Sequence, residues 1–109
     1  MRRVILESPY RGDVVANLAY ARKCLRDCLE RGEAPIASHL LFPGALDDEK
    51  PEERKLGIAA GLAWIAVADA MVVYIDLGIS EGMHHAMSTA YRTGLSVERR
   101  SLNLTVIAT

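Results

Sequence analysis

The sequence predicts an α/β domain in which helices flank both faces of a mostly parallel sheet. Apolar, β-branched runs alternate along the chain with segments whose apolar residues recur at helical spacing. Apolar runs also lead into short polar loops, a pattern typical of βα units joined by right-handed crossovers. We therefore expect a small Rossmann-like three-layer fold, with residues 1–109 forming a single domain.

The element order follows from periodicity and from helix start and stop signals. The first helix is expected to begin at Asp13 and to stop at Gly32, and Pro51 suits the first position of the next helix. Strands are predicted over residues 3–7, 35–39 and 70–76, helices over 13–31, 51–68 and from about 80 to 94, and one or two further strands around Val97 and 105–107.

The composition excludes several classes of function. The formal net charge is −1, so nothing indicates bulk binding to nucleic acid or to an anionic membrane. No segment reaches the roughly 18 continuous apolar residues of a membrane span, and residues 1–3 lead into a strand rather than a signal peptide. We expect a cytoplasmic protein.

The cysteines and histidines do not form a metal-binding pattern. Cys24 and Cys28 face the same way on the first helix, which favours burial in the core, with a redox or metal role as the alternative. His84 and His85 are adjacent and diverge on a helix, and His39 stands alone. The sequence predicts neither a metal site nor a cofactor.

Two further features have open interpretations. Gly57 and Gly61 lie four apart on one helix face, so another backbone can approach closely; packing on the sheet is expected, with a subunit contact as the alternative. The acidic residues 47–49 are expected to be solvated or to favour the following helix start, although they could border a site.

A polar loop, residues 8–13, follows the first strand and opens directly into the first helix. Open α/β sheets bind ligands at the carboxyl ends of their strands, beside free amides at helix N-termini. Arg11 can pair with a phosphate or carboxylate, and Tyr10 can stack on a base or ribose. A polar corner without a ligand is the alternative. The candidate ligand-binding residues here are Ser8, Tyr10, Arg11, Gly12, Asp13 (also a good N-cap) and Asn17.

A second polar loop, residues 76–83, follows the strongest strand signal of the chain. Ser80 and Gly82 at a helix N-terminus suit a phosphate, although Ser80 could be a plain N-cap. Asp76 could bind a ribose or base, or hold the loop. Parallel topology brings this loop to the same sheet edge as residues 8–13 and 38–39. It adds to the candidate binding residues Ser38, His39, Asp76, Ser80, Glu81, Gly82 and Met83.

Four motifs in this order resemble the nucleoside 2-deoxyribosyltransferase-like superfamily, most closely its small phage and prophage members. The motifs are Ser8-Pro9-Tyr10-Arg11-Gly12 with Asn17, then Pro35-Ile36-Ala37-Ser38-His39-Leu40-Leu41, then Gly57-Ile58-Ala59-Ala60-Gly61-Leu62-Ala63-Trp64, and finally Asp76-Leu77-Gly78-Ile79-Ser80-Glu81-Gly82-Met83. The resemblance implies a parallel sheet flanked by helices and enzymes that cleave or exchange the N-glycosidic bond of a deoxynucleoside.

The resemblance also implies where the catalytic nucleophile should lie. The superfamily uses a glutamate four residues after a glycine that matches Gly82, followed four residues later by an alanine that matches Ala90. In this chain the nucleophile position is Ala86, whose methyl group cannot attack an anomeric carbon. Catalysis would need Glu81, or His85 as a base on water, in place of that glutamate.

What the resemblance leaves is a binding apparatus without its nucleophile. Tyr10, Arg11 and Asp13 match the loop around the sugar and base, and Ser80 and Gly82 match the loop that contacts phosphate. We therefore expect a protein that binds a nucleotide-like molecule without cleaving it. In a phage this suggests a sponge in the host cytoplasm, sequestering an immune signalling nucleotide such as a cyclic ADP-ribose isomer or a cyclic oligonucleotide. A glycosidase or deoxyribosyltransferase is the alternative.

A homo-oligomer is expected on two grounds. Relatives of this type complete their pockets across subunit boundaries. The last helix also carries Met83, Met87 and Tyr91 at helical spacing, an apolar stripe that could form a subunit contact or pack within the chain.

Overall fold

The protein has a four-stranded parallel sheet with helices on both faces, seen in a computed structural model that describes residues 1–103. The strands lie in the order β2-β1-β3-β4, and each neighbouring pair is parallel. The elements are β1 (Arg2–Glu7), α1 (Val14–Glu30), β2 (Glu33–Ile36), α2 (Ser38–Leu41), α3 (Pro51–Ala63), a 3-10 helical turn (Trp64–Ala66), β3 (Ala70–Tyr74), α4 (Glu81–Thr93) and β4 (Val97–Arg100). The predicted fold class is confirmed.

Two apolar clusters hold the helices against the sheet. On one face, Leu6 and Val72 pack with Tyr20 and Cys24 of α1; on the other, Met71 packs with residues of α4 and the 3-10 turn. Alternate residues of a strand point to opposite faces, so the all-apolar β3 serves both clusters. No helix within residues 1–103 is long and apolar enough to cross a membrane.

The helix boundaries match the capping signals of the sequence. Asp13 caps α1, where its carboxylate accepts a hydrogen bond from the amide of Ala16 at 3.1 Å. Pro51 is in the first turn of α3, and Gly94 ends α4 with a left-handed φ of 79°. These residues fit because proline donates no amide where none is needed and glycine has no Cβ to clash.

Several predicted boundaries differ from the structure; the strand predicted over residues 70–76, for example, ends at Tyr74. The second strand ends at Ile36, and residues 38–39 start the short helix α2 because the amide of Phe42 bonds to the carbonyl of Ser38 at 2.9 Å. The predicted helix over 51–68 becomes α3 and then the tighter 3-10 turn before Asp69. The predicted strand at Val97 is confirmed, whereas residues 105–107 lie outside the described residues.

The two cysteines and the methionine stripe pack inside the chain. Cys24 and Cys28 are fully buried beneath the sheet, as predicted for small apolar side chains. Met83 and Met87 are also buried, against β1 and β3, while Tyr91 is exposed. Intrachain packing therefore accounts for both methionines, and only Tyr91 of that stripe is left for a subunit contact.

A buried ion pair joins the two edge strands of the sheet, β2 with Glu33 and β4 with Arg100. The guanidinium of Arg100 donates two hydrogen bonds of 2.7 Å to the two carboxylate oxygens of Glu33. Both side chains are 7% exposed. The Tyr74 hydroxyl lies 3.4 Å from Arg100 and donates to Asp27 of α1 at 2.6 Å. Every partner in this cluster is therefore hydrogen-bonded, as buried charges require.

Gly57 and Gly61 face α2 and the following loop, not the sheet. A Cβ on Gly61 would lie 3.1 Å from Oγ and 3.2 Å from Cβ of Ser38, and one on Gly57 would lie 3.3 Å from a terminal methyl of Leu46. The expected packing on the sheet is therefore wrong: none of the residues of α3 is buried, and its glycines let α2 approach.

We expect Gly57→Ala to be more stable than Gly61→Ala. Alanine gains up to about 1 kcal/mol over glycine in a helix interior. The Leu46 methyl can move to admit a Cβ, whereas the Ser38 Cβ is fixed to backbone, so at position 61 overpacking offsets that gain. Urea unfolding of both variants measures their stabilities. Equal values would show that α2 moves away from the added Cβ at position 61 at no cost in stability.

Candidate ligand-binding site

A cavity of about 700 Å³ opens at the carboxyl edge of the sheet, beneath α3. Strands β1, β2 and β3 supply its floor, and the N-terminus of α4 supplies a wall. The apolar side chains Ile58 and Leu62 of α3 line this space, and Leu62 also packs against the core beneath it. The apolar lining includes Ile5, Ile36, Ile58, Leu62, Ile65, Met71, Met83 and Ala86.

The loop after β1 contributes some of its predicted residues to the cavity and uses others to hold its own shape. Ser8, Tyr10 and Arg11 line the cavity. Asn17 instead donates to the backbone carbonyls of Tyr10 and Arg11, both at 3.0 Å. Gly12, with a φ of 99°, supplies the left-handed turn. These two residues and Asp13 do not line the cavity; they support the loop that does.

Two arginines meet at the rim of the cavity around one carboxylate. The Nε of Arg11 donates to Asp48 at 3.0 Å, and the guanidinium of Arg54 reaches the same oxygen at 3.5 Å. All three residues line the cavity. The Arg11 side chain is 58% exposed, so its remaining donors can reach a ligand. Asp48 thus borders the site, the alternative left open for the acidic cluster.

Helix α2 contributes a neutral imidazole. His39 lies 2.7 Å from the Ser8 hydroxyl, and both residues line the cavity together with Ser38. Burial lowers the pKa of His39 to about 4, because desolvation disfavours the charged ring. His39 is therefore an uncharged hydrogen-bonding group at neutral pH and links α2 to the loop after β1.

The N-terminus of α4 forms the opposite wall. Ser80, Glu81, Gly82 and Met83 line the cavity. The Ser80 hydroxyl accepts from the amide of Met83 at 3.3 Å, so this serine is also the N-cap of the helix. Its amides carry the positive end of the helix dipole, which favours an anion at this wall.

One turn further along α4, His85 and Ala86 also line the cavity. Ala86 is buried, whereas Glu81 and His85 are exposed. The position at which the resemblance places a nucleophile therefore faces the site but carries a methyl group. Glu81 and His85, four residues apart on one helix face, provide the titratable groups of this wall.

Asp76 lies outside the cavity and holds the chain around it. Its carboxylate accepts from the Tyr20 hydroxyl at 2.6 Å, the Leu102 amide at 2.9 Å and the Ser101 hydroxyl. These bonds join the end of β3 to α1 and to the segment after β4. Of its two predicted roles, the contacts match that of holding the loop.

Sequence reasoning missed several residues that line the cavity. Glu7, the last residue of β1, is the most notable because burial raises the pKa of its carboxyl to about 8. Its signal was an acid that directly follows the apolar run Val4-Ile5-Leu6. Arg54, Phe42 and Trp64 also line the cavity. Their positions depend on where α3 lies relative to the sheet, and local sequence patterns do not predict that placement.

The parallel sheet, its strand order and the cavity at its carboxyl edge define a Rossmann-like α/β fold. A solved 2-deoxyribosyltransferase from the psychrotolerant bacterium Bacillus psychrosaccharolyticus shares this fold with a TM-score of 0.74 and 19% sequence identity, over 91% of this chain and 72% of that one. No curated protein matches the sequence. The chain belongs to the family described as Domain of unknown function (DUF7768), whose model matches residues 2–100.

Proposed function

We propose that the protein binds a nucleotide-derived small molecule in this cavity. One observation carries the proposal: the cavity joins an apolar floor to a pair of arginines, Arg11 and Arg54, held together at its rim by Asp48. A nucleotide has matching parts: its flat base is stabilised by leaving water, and its phosphate pairs with guanidinium groups. The amides at the start of α4 add a second place for negative charge.

The position of α3 supports a ligand of that size. This helix has apolar side chains on the cavity, including Ile58 and Leu62, yet none of its residues is buried. Trp64 is 46% exposed and lines the same space. A base placed between α3 and the strands would cover this surface, with a gain of roughly 25 cal/mol for each Å² of apolar area removed from water.

We propose that the bound molecule is released uncleaved, because Ala86 lies where the resemblance places the superfamily's glutamate. A specific observation supports the alternative, an N-glycosidic hydrolase or transferase: Glu81 and His85 both line the cavity from one face of α4. Glu81→Gln tests the enzyme that uses Glu81, since such an enzyme would lose turnover in this variant and keep binding.

The narrower proposal is that of a phage-type sponge that works as a homo-oligomer in the host cytoplasm. It rests on the resemblance of the motifs and on the methyl group at Ala86. Exposed Tyr91 and Leu56 offer apolar surface for a subunit contact. Light scattering of the purified protein tests the oligomer, and a monomer at micromolar concentration would contradict it.

Native mass spectrometry of protein taken directly from cells tests the proposed function. We expect a bound nucleotide that is recovered intact after denaturation. Recovery of a free base and a ribosyl product would support the enzyme instead. If no nucleotide is carried over, a thermal-shift panel decides, since a ligand at 100 times its Kd adds about 2.7 kcal/mol of stability. A flat response across ribonucleotides and cyclic dinucleotides would overturn the proposal.

Arg11→Ala should weaken nucleotide binding about ten- to one-hundredfold, because hydrogen bonds to charged groups contribute about 1.5–3 kcal/mol. The fold should be unaffected, since the Arg11–Asp48 pair is largely exposed and such pairs contribute at most about 1 kcal/mol. Isothermal titration calorimetry measures the change. Arg26→Ala is the matched control, because Arg26 forms an exposed pair with Glu30 on α1 and does not line the cavity. Equal Kd values for the two variants would contradict the assignment.

A further inference from the structure

Glu7 places a carboxyl group on the apolar floor of the cavity. It is the last residue of β1 and shares a strand face with Ile5, two residues earlier. Both residues line the cavity, and Ile5 packs with Met71 in the core beneath it. Among residues 1–103, the Glu7 carboxyl has no hydrogen bond or ion pair. A half-buried acid therefore faces the space in which the ligand would lie.

The two arginines that line the cavity, Arg11 and Arg54, bind Asp48 and do not pair with Glu7. The neutral His39 ring lies against Ser8. No basic side chain of the described structure pairs with Glu7. The titratable and charged groups that line the cavity with Glu7 are Tyr10 and Arg11 after β1, His39 of α2, Asp48 of the following loop, Glu53 and Arg54 of α3, and Glu81 and His85 of α4.

These surroundings favour the uncharged form of the carboxyl. Its apolar neighbours on the cavity floor desolvate the carboxyl, which disfavours a negative charge there. In agreement with that geometry, burial raises the pKa of Glu7 to about 8. A neutral carboxylic acid has one hydroxyl donor and one carbonyl acceptor side by side, and both are free to bind a ligand.

We propose that Glu7 recognises the base of the bound nucleotide, its carboxyl group donating one hydrogen bond to the base edge and accepting another from it. This inference rests on the proposed function. It places the base on the apolar floor and the phosphate at the Arg11–Arg54 rim. The nucleotide would therefore be oriented with its base toward the sheet and its phosphate toward the opening of the cavity. An unpartnered acid on an apolar floor lowers the stability of the fold, and groups of that kind cluster at functional sites.

Calorimetric titration of four ribonucleoside 5′-monophosphates (AMP, GMP, CMP and UMP) between pH 6 and pH 9.5 tests this assignment. The proteins compared are wild type, Glu7→Gln, Glu7→Leu and the control Glu30→Gln, which changes an exposed acid on α1. For at least one nucleotide, wild-type affinity relative to that of Glu7→Gln should be constant to about pH 7.5 and fall toward tenfold per pH unit above pH 8, as the donor proton is lost.

The amide of Glu7→Gln has a donor and an acceptor in the same places and does not titrate. This variant should therefore bind at neutral pH and keep its affinity at pH 9.5, which also controls for titration of the bases themselves. Glu7→Leu removes both hydrogen-bonding atoms and should bind about tenfold or more weakly at every pH. Glu30→Gln should match the wild type, including its loss of affinity at high pH.

The possible failures are distinguishable. If wild type binds none of the four nucleotides, this inference is overturned, and the proposed function is overturned with it only when the thermal-shift panel of ribonucleotides and cyclic dinucleotides is flat as well. If wild type, Glu7→Gln and Glu7→Leu bind equally well at every pH, the assignment of Glu7 alone is overturned. Binding that strengthens at high pH and is lost in Glu7→Gln would show a charged carboxylate at work and overturn the neutral donor.

Discussion

Arg100→Met should lower the free energy of unfolding by about 3–5 kcal/mol, the range for breaking a buried ion pair by removing one partner. The substitution leaves Glu33 buried without its two 2.7 Å hydrogen bonds from β4. Arg2 contacts the same carboxylate at 3.3 Å but is 41% exposed, so it replaces little of that interaction. Urea unfolding followed by circular dichroism measures the loss.

The neighbouring residue supplies the control. Arg99 is exposed on β4, and Arg99→Met should change stability by about 0.5 kcal/mol or less. The double variant Arg100→Met, Glu33→Leu should recover much of the loss, because neither charge then stays buried alone. A loss below about 1 kcal/mol in Arg100→Met would show that water reaches the pair.

Acid should weaken the same interaction. The Arg100 guanidinium holds the pKa of Glu33 below its usual value. A carboxyl whose pKa is lowered in the folded state contributes stability above its unfolded pKa and loses that contribution as pH falls through the folded value. Stability should therefore decrease below about pH 4.5 in the wild type by more than in the double variant.

The elements that the sequence predicted well are those with strong local signals. The Asp13 cap, the Pro51 start and the Gly94 stop are fixed by backbone chemistry that acts over a few residues. Strand β3 is apolar on both faces, and only its end was predicted two residues too late. By contrast, β2 and α2 have four residues each, too few for periodicity to separate them, so residues 38–39 were placed in the wrong element.

The candidate site was likewise predicted in part: the sequence indicates which segments meet at the cavity, but not which of their side chains face it. Topology alone brings residues 8–11, 38–39 and 80–83 to one cavity, because parallel strands end at one edge. Asn17, in the first turn of α1, and Asp76, directly after β3, are polar residues beside the site, yet their side chains bond to the protein itself. Sequence cannot separate these two outcomes, since a side chain that binds a ligand and one that holds a loop have the same composition.

Glu7→Gln should raise the free energy of unfolding at pH 7 by on the order of 3 kcal/mol. The carboxyl has an ordinary pKa of 4.5 and a pKa of about 8 in the folded protein. Above pH 4.5 the unfolded chain releases this proton while the folded protein retains it, so stability is lost as pH rises from about 4.5 to 8. The amide has no proton to release and avoids that loss.

The pH dependence of the difference between the two proteins identifies Glu7 as its source. Wild type and Glu7→Gln should be nearly equal at pH 4, diverge steadily to about pH 8 and keep a constant difference above it. His39 and Glu33 titrate in both proteins, so their effects cancel. A difference that is constant from pH 4 to pH 9 would mean that Glu7 titrates normally, as a solvated surface acid would. The expected curve would instead mean that the fold retains, at the floor of its cavity, an acid that destabilises it when no ligand is bound.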